Sequence, residues 1–365
     1  MKINILIIED EQSIINQWRE KLDFYAISES PLYEISATYT DDFEQSKDRL
    51  LNQRFDAVVI DIRLKQRPGE IPNRHGNNIA KIVSNSTLSI MAICTAEPST
   101  VELTEEQRSF VNVFQKGQGD VVINILDWLD SKKKMLEAVQ KMQHEINGQM
   151  AKLFSRSVWP RWEYWLKHDE TDDLTRNALK RHMATHLHAS FINESESAHP
   201  EEYYFIPPLR ENLNTGDIVS IESKYYVLIT PRCDLARGKN NTFQLVNLLS
   251  MKETWDENHQ IIASEEESGR RKEQAKREIK KIINHNDKSP KAHFIPQIKL
   301  NNDNILGPFL AQFNYMINEE NTLTFKNMIL ENRIATLSNE FLPSLVERLG
   351  TYFSRIGTPD YSHPE

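Results

Sequence analysis

The chain has 365 residues, room for two or three domains with a sizeable core. A net charge of -9 argues against general attraction to nucleic acid or membranes, and two cysteines, Cys94 and Cys233, exclude a disulfide framework and point to reduced thiols. No apolar run approaches the roughly 18 residues of a membrane-spanning helix, and the first apolar stretch is too short and too quickly acidic for a signal peptide, so a cytoplasmic location is expected.

The first predicted strand, Ile5-Leu6-Ile7-Ile8, is a continuous apolar run of the kind buried parallel strands show, and it ends in Glu9-Asp10-Glu11. A second run, Ala57-Val58-Val59-Ile60, closes on Asp61. A third, Ser89 to Cys94, ends in Thr95, and Phe110 to Phe114 leads to Lys116. In doubly wound sheets, chemistry collects at the carboxyl ends of the strands. Three carboxylates converging there repel one another unless a cation joins them, and oxygen-only donors suit magnesium. An acid pair, an acceptor aspartate, a hydroxyl and a lysine, each just past a strand, form the set that phosphoryl transfer to a carboxylate requires.

On these residues the first 130 or so positions resemble the receiver domain of two-component response regulators. The resemblance implies a five-stranded, doubly wound, flavodoxin-like α/β domain with Asp61 as phospho-acceptor. It further implies that Glu9 and Asp10 hold Mg2+ directly or through water, together with Asp61 and the backbone carbonyl of Arg63. Thr95 becomes the switch hydroxyl and Lys116 the phosphate-pairing lysine. The implied partner is a sensor histidine kinase or phosphotransfer protein, with a downstream effector protein beyond it. A receiver that has lost phosphorylation and only docks is the alternative.

Three departures from the family pattern are legible. The family places a glycine closer to the acceptor, whereas here a long polar loop runs from Arg63 to Gly76. Lys116 is followed by Gly117 in place of proline. Val113 occupies the place of the switch aromatic, and Phe114 is expected to face the other way. Arg63 and Glu97 flank the site and are expected to pair across it, slowing water attack on a phospho-aspartate.

Residues 131–198 read as a helical connector. Met135, Val139, Met142, Ile146 and Leu153 follow heptad-like spacing, which suggests a dimerising coiled coil or, equally, a helix packed on its own C-terminal domain. The cluster Trp159-Pro160-Arg161-Trp162-Glu163-Tyr164-Trp165 is either core or an interface hot spot, with core preferred. His182 and His186, one helical turn apart with His188 close by, carry zinc-like spacing but have no recognisable third ligand.

From residue 199 to 365 an α+β output or interaction domain is expected. Short strands at Tyr203–Ile206, Asp217–Ile221 and Lys224–Thr230, joined by tight turns, suggest a small β-barrel or a strongly bent sheet, faintly similar to MazF/PemK-type toxins. Arg232, Cys233 and Asp234, taken as the end of a strand, offer a phosphate-binding cation, a nucleophile and a base, or simple turn chemistry. A charged helix with Ala275, Ile279 and Ile282 on one stripe reads as a solvated insertion near 264–290. Asn321–Phe325 and Arg333–Leu337 read as strands, and a last helix capped by Ser338 or Asn339 presents Leu342, Leu345, Val346, Leu349, Tyr352 and Phe353 on one face. No winged-helix, helix-turn-helix, cyclic-dinucleotide or histidine-kinase motif is found, so no enzymatic activity beyond receiver phosphoryl transfer and autodephosphorylation is expected. Together these readings describe a response-regulator-like signalling protein. A receiver-gated nuclease-like effector and a phosphate-sink scaffold are the alternatives.

Overall fold

Strand β1 (Lys2–Ile8) sets the architecture of the first half. Side chains alternate across a strand, so Ile5 and Ile7 face one side of the sheet, where they join Trp18, Val122 and Leu129; Leu6 and Ile8 face the other, with Leu50, Ile79 and Val83. Apolar on both faces, the strand needs helices on both. These are α1 (Gln12–Ala26) and α5 (Val121–Ser131) on the first side, and α2 (Phe43–Asn52) and α3 (His75–Ser86) on the second. With β2 (Glu34–Thr40), β3 (Ala57–Ile60), β4 (Ile90–Thr95) and β5 (Asn112–Gln115), the strands form a parallel sheet of order β2-β1-β3-β4-β5. A single helical turn, α4 (Glu105–Arg108), precedes β5. The expected flavodoxin-like sheet is the observed one.

The computed structural model describes residues 1–166, 172–192, 197–284, 290–300 and 304–354. The chain divides into two units, Met1–Asn193 and Glu194–Glu365. No helix among the described residues is long and apolar enough to cross a membrane.

The connector helix is present as α6 (Lys133–Leu153), and it lies within the first unit. Its Gln140 side chain donates to Asp56 Oδ1 at 2.8 Å and to the Lys2 carbonyl at 3.0 Å, which ties it to the amino ends of the strands. Its helical neighbour is α8 (Asp172–Phe191). In the heptad stripe only Leu153 is buried; Met135 and Met142 are exposed. The core reading of the tryptophan cluster is overturned. A wide turn at Phe154–Val158 and a tight one at Trp159–Arg161 break the helix before α7 (Trp162–Leu166). This leaves Trp159 69% and Tyr164 63% exposed, around an open hollow that they line with Phe154 and Trp162. Trp165 alone turns inward, edge-on to His182 at 5.1 Å between ring centroids.

The second unit is one antiparallel sheet of order β10-β13-β9-β8-β7-β14-β6. Its strands are β6 (Tyr204–Phe205), β7 (Asp217–Ile221), β8 (Lys224–Leu228), β9 (Thr242–Ser250), β10 (Ala292–Ile295), β13 (Phe309–Glu320) and β14 (Arg333–Leu337); β11 (Ile298–Lys299) and β12 (Ile305–Leu306) form a separate ribbon. The register of β13 against β9 shifts between Gln312 and Met316, and this irregularity helps curl the sheet. Helix α10 (Lys252–Ala263) packs on α11 (Gly269–Ile283), the charged helix, whose Ala275, Ile279 and Ile282 are buried as expected. Part of its expected exit, 285–289, falls outside the described residues.

Three local expectations are corrected. Leu323 and Phe325 belong to a helix, α12 (Leu323–Glu331), because the Thr322 hydroxyl caps it by accepting from Phe325 N at 3.2 Å. Three alternating residues are too few to separate strand from helix. The segment Arg232-Cys233-Asp234 does not end a strand: β8 stops at Leu228, and Pro231 starts helix α9 (Arg232–Arg237). The last helix, α13 (Leu342–Phe353), begins after Phe341 and has no side-chain cap; the Ser338 hydroxyl instead donates to the Glu202 carbonyl at 2.7 Å. Leu342 and Leu345 are buried, whereas Val346 and Phe353 point to solvent.

Asp217 is a fully buried acid of this unit. Its carboxylate accepts from Asn214 N at 2.7 Å, from the Thr336 hydroxyl at 2.5 Å and from Arg333 Nη1 at 3.3 Å. Arg333 also donates to the carbonyls of Arg210 and Asn212, at 2.7 and 3.0 Å. Removing one partner of a buried ion pair leaves the other charge uncompensated. Arg333→Ala is therefore expected to cost roughly 3–5 kcal/mol in urea denaturation, with partial recovery on adding Asp217→Asn. A loss no larger than that of an exposed pair, under about 1 kcal/mol, would refute this account.

Candidate functional site at the carboxyl edge of the parallel sheet

The strand ends bring the site together through backbone geometry. Ladder hydrogen bonds continue one residue past each strand: Glu9 N to Thr40 O, Asp61 N to Ile8 O and Lys116 N to Thr95 O, each at 2.9 Å. Side chains from the ends of β1, β3 and β5 therefore share one edge. Glu9 and Asp61 are 2% and 4% exposed, and Thr95 is equally buried. The Lys116 ammonium sits between the two acids, 2.8 Å from Asp61 Oδ2 and 2.8 Å from Glu9 Oε2. Asp10 completes the set: carboxylate oxygens of Glu9, Asp10 and Asp61 all lie within 4.8 Å of one another. Among the described residues this is the one group of three or more His, Cys, Asp or Glu side chains arranged to hold a metal. His182 and His186 are in ring contact with each other and bring no third ligand.

The sequence-predicted residues at this edge thus converge. Thr95 Oγ1 accepts from Glu97 N at 3.2 Å at the end of β4. Arg63 N donates to Asp61 Oδ1 at 3.3 Å, and its guanidinium pairs with Glu97 at 3.2 Å across the mouth of the site, as expected. Phe114 packs edge-on against Trp128 of α5 and Val113 is exposed, so the aromatic does face away from the site. Gly117 takes φ 85°, a turn conformation open to glycine and closed to proline. Cys94 lies in the core, and burial pushes its thiol up to about 12, so it is inert. In the second unit Arg232 and Cys233 are collected on α9, where Arg232 donates to Asn339 and Cys233 is exposed beside Asp234.

The long loop after Asp61 returns to the acceptor through a close backbone contact at Gly76. A Cβ on Gly76 would lie 2.1 Å from the Asp61 carbonyl oxygen and 2.6 Å from Ile62 Cα. Gly76 thus permits a backbone approach that any side chain there would block. Between them, Leu64 and Asn73 exchange two backbone hydrogen bonds of 2.8 Å, so the extra residues form a tied-off excursion. Lys65 was not foreseen as a site residue. Its ammonium is 3.8 Å from Asp10 Oδ2. The signal was present: Ile62 and Leu64 are apolar and alternate with Arg63 and Lys65, which puts the latter two on the side of Asp61.

No protein-family model matches the chain, and a search of curated proteins finds no match. Among solved structures, the chain is similar to a CheY-like response regulator receiver domain from Methylobacillus flagellatus, at 18% identity over 36% of this chain and 98% of that one, TM-score 0.27. It is similar also to one from Methanospirillum hungatei, at 16% identity over 38% and 98%, TM-score 0.27. A third is the receiver domain of a sensor histidine kinase from Pseudomonas aeruginosa, with a magnesium ion coordinated in its active site cleft, at 20% identity over 34% and 95%, TM-score 0.23. The first unit has the doubly wound, flavodoxin-like fold, which its parallel 2-1-3-4-5 strand order defines.

Electrostatics at this edge follow from crowding and burial. Burial, reinforced by Asp61, pushes Glu9 from 4.5 up to about 7, against the pull of Lys116. Asp10 is raised by burial and lowered in turn by Lys65. Burial works against the Lys116 ammonium, yet Glu9 and Asp61 hold its pKa above the ordinary lysine value. The residues fit a hard divalent cation: three carboxylates, oxygen donors only, drawn together at a cost in repulsion. An acid with a raised folded-state pKa binds protons on folding, so its contribution to stability is full below about 4.5 and fades as pH rises through about 7. Metal-free protein is expected to lose on the order of 3 kcal/mol from this group across that window. Glu9→Gln should flatten the slope in urea titrations run at a series of pH values; an unchanged slope would show that Glu9 does not titrate there.

Proposed function

We propose that this protein is a response-regulator-like signalling protein whose receiver accepts a phosphoryl group on Asp61 from the histidine of a partner sensor kinase or phosphotransfer protein, in the cytoplasm. The observation that carries this reading is the contact of Lys116 with Asp61, beside Glu9 and Asp10, at the carboxyl edge of a receiver-fold sheet. In the transfer, an Asp61 carboxylate oxygen forms the new P–O bond while the P–N bond to the kinase imidazole breaks, and that imidazole keeps the electron pair. Glu9, Asp10 and Asp61, with the Arg63 carbonyl, would hold Mg2+, which supplies charge neutralisation for the phosphoryl oxygens.

The other steps belong to the chain's own groups. Lys116 stays within reach of the acceptor and exchanges its contact with Glu9 for one with a phosphoryl oxygen. The Thr95 hydroxyl, held at the end of β4, gives up the Glu97 amide and turns to the phosphoryl group. The Arg63–Glu97 pair spans the mouth and restricts water attack on the acyl phosphate. Output then passes along the connector helix α6 to residues 199–365, as docking to an effector or as homodimerisation.

Acetyl phosphate or beryllofluoride with Mg2+ is expected to shift the thermal unfolding midpoint or the oligomeric state of the full chain. Asp61→Asn should abolish the response and Lys116→Ala should weaken it. A response that persists in Asp61→Asn would remove Asp61 as the acceptor.

A further inference from the structure

Lys65 comes from the loop that distinguishes this receiver, and its backbone is fixed. Leu64 is wholly buried and doubly hydrogen-bonded to Asn73, while Phe43 N at the start of α2 donates to the Lys65 carbonyl at 2.8 Å. The side chain reaches the edge of the site and ends 3.8 Å from Asp10 Oδ2; the Lys65 and Asp10 side chains are 31% and 9% exposed. Arg63, on the same side, is already engaged with Glu97. Lys65 is thus the cation that meets Asp10, the one acid of the three that Lys116 does not touch.

We propose that Lys65 is a built-in competitor for the divalent cation at Asp10: it lowers the affinity of the site for magnesium and swings away from Asp10 when the cation is held. The inference rests on the reading of Glu9, Asp10 and Asp61 as the metal-binding set. Three carboxylates and the two ammonium groups of Lys65 and Lys116 leave the ionised cluster with one negative charge. A divalent cation added to that cluster overshoots neutrality by one charge, whereas without Lys65 it balances the cluster. Like charges sharing one carboxylate repel, and the repulsion weakens binding. Because Lys65 is about one-third exposed, it can turn into water, and the penalty stays near the scale of a surface ion pair. Competition therefore tunes the affinity without abolishing it. A cell would load such a receiver only when free magnesium exceeds a threshold set by the loop.

The test is calorimetric titration of the full-length metal-free protein with magnesium chloride, for wild type, Lys65→Met, Lys65→Gln, Lys65→Arg and Asp61→Asn. The neutral variants Lys65→Met and Lys65→Gln are expected to bind on the order of three- to tenfold more tightly than wild type. Lys65→Arg should stay close to wild type, and Asp61→Asn should lose binding. Thermal unfolding of the same metal-free variants verifies that each is folded; magnesium should then raise the midpoint of Lys65→Met more than that of wild type. Equal or weaker binding by both neutral variants, with wild-type binding intact and lost in Asp61→Asn, would overturn the competition and leave the metal site standing. If neither wild type nor the neutral variants bind magnesium, the competition and the metal-binding reading fall together.

Discussion

The repulsion among Glu9, Asp10 and Asp61 is the constraint around which the first unit is organised. A parallel sheet brings the ends of β1 and β3 side by side, and the continuing ladder leaves the acids no room to separate. Burial removes the water that would screen them. Two lysines answer the charge, Lys116 from the end of β5 and Lys65 from the loop after β3, and burial leaves Glu9 with a proton affinity far above that of a free carboxylate. A site in this condition stores electrostatic free energy, and any reaction that adds a phosphoryl group or a cation redistributes it.

The receiver edge was legible in the sequence because backbone topology dictates it. Three continuous apolar runs imply a sheet buried on both faces, and in such sheets the residue just past each strand lands on the functional edge. Asp61, Thr95 and Lys116 needed no information beyond their own strands. Arg63 and Glu97 follow for the same reason. Lys65 lay hidden behind the length of the loop, although the alternation of Ile62 and Leu64 carried its direction. What decides its position is the pairing of Leu64 with Asn73, a contact across nine positions that no local pattern encodes.

Elsewhere the misreadings share one cause: short segments whose local pattern fits two structures. The threonine at 322 caps a helix through its hydroxyl, and that bond, with the one from Lys326 N to the Thr322 carbonyl, turns Leu323–Phe325 away from the strand their alternation suggests. Pro231 both ends the extended run and opens α9, so Arg232, Cys233 and Asp234 fall on a helical turn, not at the end of a strand. The tryptophans at 159 and 162 satisfy a helical stripe in spacing, but the irregular turns before them rotate the rings outward. Composition identifies which residues can pack; the backbone path decides whether they do.

The route from site to connector is short and physical. Lys116 and Phe114 are separated by one residue on the same extended segment, so a displacement of the lysine acts on the strand whose aromatic ring packs against Trp128. Trp128 lies in α5, and Lys132 alone separates α5 from α6. Leu136, in the first turn of α6, is buried in the same cluster as Trp128, while Gln140 one turn later is fastened to Asp56 and Lys2 at the far end of the sheet. Helix α6 is thus held at two points, one coupled to β5 and one anchored to the amino ends of β1 and β3. A shift of β5 relative to β1 tilts a helix fastened in this way. Under the proposed function a phosphoryl group on Asp61 would act first on Lys116, which spans those two strands, and tilting of α6 is then the motion that this arrangement of contacts most directly transmits.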